Sequence, residues 1–301
     1  TSLLAHLLLV LAFFELLVFC LESIPASFLA ALLFAVHPIH TEAINQVSCR
    51  SETFGALFLV LALIFYLREK RWLVGLFQIA ALLSKESAVL VPVFLLAADL
   101  VMPKGKVLDR AKRIAPFILI SVAYVLYRKY ACPVPMHIES EMLNLKLQRV
   151  LSMAPALIRY FKTLFWPPYF QLFVSIDFAK NLWTVSLYGI ALWSLWDAWR
   201  RKSVSLIGSV LLFVGFAPYL QVVAFYPQWA EHFLTIPALG FYFLLAIVFR
   251  SILSVQNKKL RIAILILPCI WAACLGYRTY ERNQLYNDLN RYYAVLSKSN
   301  S

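Results

Sequence analysis

Between the apolar runs FLAALLFAV and FGALFLVLALIFYL lies a sixteen-residue polar stretch, HPIHTEAINQVSCRSE, covering 37–52. It carries His37, His40, Glu42, Asn45, Gln46, Arg50 and Glu52. A polar knot flanked this closely by apolar runs is either a loop at a membrane surface or a buried site facing a cavity, since ionisable groups near membrane depth pair with one another or line water. The rest of the chain decides the setting. It is 62% hydrophobic and only 14% charged, whereas soluble domains are nearer half apolar and a quarter charged. The sequence therefore reads as an all-α, polytopic helical membrane protein.

Ten apolar segments are expected to cross the bilayer, at 2–20, 24–36, 53–67, 72–84, 86–102, 114–130, 181–199, 204–224, 233–249 and 262–277. Several are shorter than the ~20 residues of a perpendicular span. Their alternation sorts the short connections into two sets. The turns at 21–25, 68–72, 103–113, 200–203 and 250–261 hold fifteen Lys and Arg, while 37–52, 84–86 and 225–232 hold only Arg50 and Lys85. Positive charge collects on the cytoplasmic side, so the polar knot is expected to be non-cytoplasmic. The net charge of +13 follows from this punctuation and gives no reason to invoke a nucleic acid.

One longer non-cytoplasmic piece, 131–180, contains Leu147, Leu151, Ala154, Ile158, Phe161 and Phe165 at helical spacing. An amphipathic, interfacial element over about 145–170 is expected, with Arg159 and Lys162 on one face. The prolines of FWPPYF (Phe165–Phe170) break it, and aromatic residues such as Trp166 suit the membrane–water boundary. After residue 278 the chain turns polar, and Leu285, Leu289, Tyr292 and Leu296 form a helical stripe in need of a partner.

The three short non-cytoplasmic loops bring forward candidate site residues. The first supplies His37, His40, Glu42, Arg50 and Glu52; the second, Lys85 and Glu86; the third, Glu231 and His232. Each also has a structural reading. His37 precedes Pro38 and could simply end a helix; Arg50 could hold a phosphate or pair with Glu42 or Glu52; Lys85 could meet a lipid phosphate or offset Glu86; and Arg159 and Lys162 could be snorkelling residues. His40 and Glu42 lie close enough to meet, but no further ligand is spaced for zinc, so no metal is inferred. The five cysteines show no metal-binding or disulfide framework.

The segment FAVHPIHTEAINQVSCRSETFGALF resembles the signature of multi-spanning glycosyltransferases of the C type (GT-C) whose membrane domain precedes tetratricopeptide repeats, the transmembrane O-mannosyltransferases among them. LLSKESAVLVPVFLLAADL, RYFKTLFWPPYFQL and AEHFLTIPALGF are similar to three further segments of that family, in the same order, and RTYERNQLYND resembles its lead-in to the repeats. The resemblance implies a membrane domain over 1–277, a helical lead-in over 278–301, and transfer of mannose or a similar hexose from a polyprenyl-phosphate donor. The acceptor would be a protein hydroxyl or a glycan on the extracytoplasmic face. The setting would be the inner or plasma membrane of a prokaryote or the endoplasmic reticulum of a eukaryote. The resemblance carries over Arg50 and Lys85 as phosphate-binding candidates, and His37, His40, Glu42, Glu52, Glu86, Glu231 and His232 as substrate-pocket residues. It implies no resident cofactor. Two departures stand out: Cys49-Arg50 replaces the family's Gly-Arg, and Glu231-His232 replaces its Glu-Arg. The general base is expected upstream of Thr1 and the repeats after Ser301. A lipid-linked sugar transporter and a non-catalytic scaffold are the competing readings.

Overall fold

A computed structural model describes residues 1–102, 107–131, 153–167, 186–220 and 230–288. Among them every regular element is helical. In chain order these are α1 (Ser2–Leu21), α2 (Ile24–Ala35), α3 (His40–Asn45), α4 (Arg50–Leu67), α5 (Arg71–Ser84), α6 (Val91–Val101), α7 (Val107–Ala131), α8 (Ala154–Phe165), α9 (Ser186–Arg200), α10 (Ser205–Phe213), α11 (Thr235–Leu253) and α12 (Lys258–Asn287). Single 3-10 turns precede α4, α6 and α11, and a further one, Val214–Tyr219, extends α10.

Five of these helical stretches are long and apolar enough to cross a membrane: Ser2–Leu21, Val47–Leu67, Leu108–Ala131, Glu231–Leu253 and Lys258–Asn287. Each of the ten expected segments contains a helix, but several are too short to span alone. At 1.5 Å per residue α2 rises only about 18 Å, well under the ~30 Å hydrocarbon core. α2 stops where the polar stretch begins, α5 stops at Ser84, and after Lys85, whose backbone is extended, a 3-10 turn over Glu86–Leu90 leads into α6.

Leu3, Leu4, Leu7 and Leu11 of α1, Ile118 and Leu119 of α7, and Ile266, Leu267 and Ile270 of α12 are exposed. An apolar surface this extensive is untenable in water and is what lipid requires. The chain is an all-α membrane protein. Inside, α4 packs on α1 and α5, and α11 packs on α2 and α10. Phe13, Phe34, Tyr242 and Phe243 are fully buried at the centre of this core. The α10–α11 crossing depends on small residues: a Cβ at Gly240 would lie 2.1 Å from the Leu212 nitrogen and 2.6 Å from the Gly208 carbonyl oxygen. Such backbone approach is how membrane helices gain packing energy without a hydrophobic drive between them.

Leu157, Tyr160 and Leu164 form the buried face of α8, while the stripe Ile158–Phe161–Phe165 faces outward, with Phe165 more than half exposed. Tyr160 and the Leu164 carbonyl have polar partners inside the protein, so that face turns inward. The other stripe lines an open apolar groove with Trp166 and Leu187. One expected boundary moves: α12 runs unbroken past 277 to Asn287, so the apolar segment and the start of the helical lead-in are one helix. Of the stripe proposed for the tail, Leu289, Tyr292 and Leu296 lie outside the described residues, as do Leu147 and Leu151 of the amphipathic segment.

Candidate functional site

The three loops and the end of α12 converge on one buried polar cluster. Glu42, in the first turn of α3, accepts the backbone N–H of His232 at 3.0 Å and holds His232 Nδ1 at 3.1 Å. Glu52, in the first turn of α4, is 2% exposed; it pairs with Lys85 Nζ at 2.7 Å and accepts the Tyr219 hydroxyl at 3.1 Å. Acids in a first helical turn also meet the positive end of the helix dipole. Glu231 pairs with Arg282 through both guanidinium nitrogens. Buried carboxylates without such cations would each cost several kcal/mol, about 3–5 when one partner is lost.

Arg282 is the residue the sequence reading missed. It is 2% exposed, donates to the Pro38 carbonyl as well as to Glu231, and so ties α12 to the first and third loops. Thr279 donates to the Val36 carbonyl at 2.6 Å, and the amide of Asn45 donates to Asn283 at 2.7 Å. The signal was present: no breaker separates the apolar stretch ending near 277 from TYERN. Tyr160 and Tyr219 were also missed, Tyr160 because it sits among the cations and aromatics of RYFKTLF and Tyr219 because it ends the apolar run VGFAPY. Burial among carboxylates raises the pKa of the Tyr160 hydroxyl.

His37 and His40 have structural partners. His37 is fully buried, its Nε2 pairs with the Leu164 carbonyl at 3.2 Å and its Nδ1 accepts the Ile39 N–H at 3.2 Å. Because a carbonyl can only accept and an amide only donate, the ring is the neutral Nε2–H tautomer. Burial, and secondarily the Arg282 charge, lowers its pKa to about 3. His40 lies between the rings of His6 (4.6 Å) and Phe34 (4.4 Å). Burial chiefly, helped by the two neighbouring histidines, lowers its pKa well below the usual value.

Arg50 and Arg159 differ from the paired groups. Among the described residues nothing hydrogen-bonds the buried Arg50 Nε or the buried Arg159 Nη1. Lys162 is exposed. Trp166 lies under the Arg278 guanidinium, 4.5 Å from the ring centroid, and Arg278 donates to the Pro167 carbonyl at 2.6 Å. Glu86 stands apart: it is 60% exposed and meets Arg128 at 3.1 Å on the protein surface. At the other end of α4, Asp99 takes two 2.8 Å hydrogen bonds from Arg113 and one of 2.7 Å from Tyr66, lining a cavity of about 200 Å³. This closed set ties α4, α6 and α7 together and has the character of a structural clamp.

The chain is thus a multi-helix membrane protein with a buried, charge-paired cluster and, among the described residues, unmet buried donors on the guanidinium groups of Arg50 and Arg159. It is similar to a protein O-mannosyl-transferase of Caenorhabditis elegans, 23% identical over 90% of this chain and 41% of that protein. Over short stretches it is 49% identical to human protein O-mannosyl-transferase TMTC3 and 50% identical to human TMTC4, each over 15% of this chain and 5–6% of the relative. The chain therefore spans about two fifths of the nematode protein's length. No family model and no solved structure matches it.

Proposed function

We propose that this chain is the membrane part of a GT-C-like hexosyltransferase that passes mannose, or a similar sugar, from a polyprenyl-phosphate carrier to a protein hydroxyl on the non-cytoplasmic face. One observation carries the reading: Arg50 sits at the head of α4, beside a cluster whose own carboxylates are already matched by Lys85, His232 and Arg282, and keeps an unmet buried donor. A guanidinium left over after the local acids are paired is suited to a departing phosphate, whose charge grows in the transition state. Arg159 on α8 offers a second unmet donor. Trp166 and the apolar groove beside it supply a surface for a polyprenyl tail. The names of the relatives supply the sugar and the class of acceptor. Proton transfer from the acceptor hydroxyl needs a base with a free carboxylate. Glu42, Glu52 and Glu231 are all engaged, which suits them to holding the site's shape.

The test is sugar transfer from polyprenyl-phosphate mannose by the full-length protein. Arg50→Ala should lower the rate at least about 100-fold, the scale of losing one transition-state donor, whereas Glu86→Ala should leave it unchanged. Normal transfer by the Arg50 variant would overturn the assignment.

A further inference from the structure

The two positions at which this sequence departs from the pattern it resembles, Cys49 and His232, are 183 residues apart in the chain and adjacent in the fold. Cys49 Sγ lies 3.5 Å from His232 Nδ1, and His232 Nδ1 lies 3.1 Å from Glu42 Oε1. The three donor atoms all fall within 4.8 Å of one another. We propose that Glu42, Cys49 and His232 form a binding site for a zinc-like divalent cation.

The geometry fits. Zinc bonds of about 2.0–2.1 Å to nitrogen or oxygen and 2.3 Å to sulfur, set tetrahedrally, separate the donors by roughly 3.3 Å for nitrogen–oxygen and 3.6 Å for nitrogen–sulfur. The observed 3.1 and 3.5 Å edges need only small side-chain shifts. The donor types also match, since thiolate, imidazole and carboxylate together select zinc over the hard cations magnesium and calcium. The ligands are held from outside. The His232 backbone N–H fixes Glu42 Oε2 at 3.0 Å, leaving Oε1 to the ion. The Cys49 thiol donates to Gln46 Oε1 at 3.4 Å; on deprotonation that bond is lost, and the Gln46 amide can turn its NH2 to the thiolate.

Charge supports the proposal. Cys49 is 8% exposed and Glu42 6%. Binding would release two protons to solvent, one from the Cys49 thiol and one from His232 Nδ1, which faces the Glu42 carboxylate at 3.1 Å, and thiolate plus carboxylate would neutralise a divalent ion. A neutral buried site avoids the cost of leaving a charge unmatched. Three protein ligands leave one tetrahedral position open, the arrangement of open rather than closed zinc sites. The pattern the sequence resembles has glycine and arginine at these two positions. Glycine cannot ligate, and arginine would oppose a cation while pairing with Glu42. The two changes together place two metal-ligating side chains beside Glu42.

The experiment uses the detergent-purified chain. After exposure to zinc and desalting it should retain one zinc ion per chain by elemental mass spectrometry. Cobalt in place of zinc should give a thiolate charge-transfer band in the near ultraviolet. Cys49→Ser and His232→Gln should each reduce retention to background, while Cys269→Ser, which removes an exposed thiol, should not. Zinc retention that survives Cys49→Ser, or follows Cys269 instead, would overturn the site. Should a site variant fail to fold, the cobalt spectrum of the Cys269→Ser protein decides, and absence of the band there refutes the proposal.

Discussion

Lys85 Nζ stands 2.7 Å from Glu52 Oε1, which joins the turn between α5 and α6 to the first turn of α4. Gly55 makes the approach possible, since a Cβ there would come within 3.1 Å of Lys85 Cβ. Glu52 is almost wholly buried, so its charge depends on Lys85, with the Tyr219 hydroxyl as its other donor. Lys85→Met should destabilise the protein by about 3–5 kcal/mol, because a buried carboxylate is left without its cation. Lys85→Met with Glu52→Gln should recover most of that loss. Thermal unfolding in detergent of the two single variants and the double variant measures the coupling. Additive losses would show that the pair contributes nothing of its own.

Arg282 extends the same logic to the other end of the chain. Its guanidinium grips Glu231 with two nitrogens and reaches the Pro38 carbonyl. A lysine has no planar fork and cannot make both contacts at once. Arg282→Ala, which leaves Glu231 uncompensated, should cost about 3–5 kcal/mol, and Arg282→Lys, which keeps the charge but loses part of the contact set, about 2–3 kcal/mol. Arg278→Ala, which loses a stacking contact and one carbonyl bond at a more exposed position, should cost about 1–2 kcal/mol. The melting temperature should be lowest for Arg282→Ala, intermediate for Arg282→Lys and highest of the three for Arg278→Ala, and equal melting for Arg282→Lys and the parent would remove Arg282 from the framework.

Gly240 tests how the membrane core is packed. A methyl group there would collide with the backbone of Leu212 and Gly208, which cannot swing aside like a side chain. Gly240→Ala should force α10 and α11 apart and sharply lower the yield of folded protein. Gly189 on α9 has nothing within 4 Å of its added Cβ, so Gly189→Ala should be neutral or slightly stabilising in a helix. Monodispersity on size-exclusion chromatography separates these outcomes.

The helical architecture was legible because membrane helices must satisfy their backbone internally, leaving long apolar runs punctuated by charge. His37, Glu42, Glu52, Lys85, Glu231 and His232 were legible for the same reason: polar residues embedded in such runs are costly and stand out. Their pairing was not. That Glu52 meets Lys85 and Glu231 meets Arg282 depends on how loops far apart in sequence approach, and periodicity carries no information on that. Arg282 was hidden because the polarity after residue 278 resembles the start of a new domain, although the helix continues. The inward face of α8, Leu157–Tyr160–Leu164, was not legible because apolar side chains of a membrane-bound helix face lipid as readily as protein.

His37 makes the fold acid-sensitive, and the sign follows from its bonds. The neutral Nε2–H tautomer donates to Leu164 and accepts from Ile39, so protonating Nδ1 destroys the second bond and buries a charge near Arg282. The folded-state pKa is lowered to about 3, against about 6.5 for an unfolded histidine. Between those values the unfolded chain binds a proton that the folded chain does not. Stability from His37 is therefore complete above about pH 6.5 and is lost as the pH falls below it, by up to about 1.4 kcal/mol per pH unit for one proton. His37→Gln keeps an amide donor for the Leu164 carbonyl and cannot titrate. It should melt somewhat lower than the parent at pH 8 but show a shallower decline from pH 6.5 to pH 5. Parallel declines in the two proteins would assign the acid sensitivity to other groups.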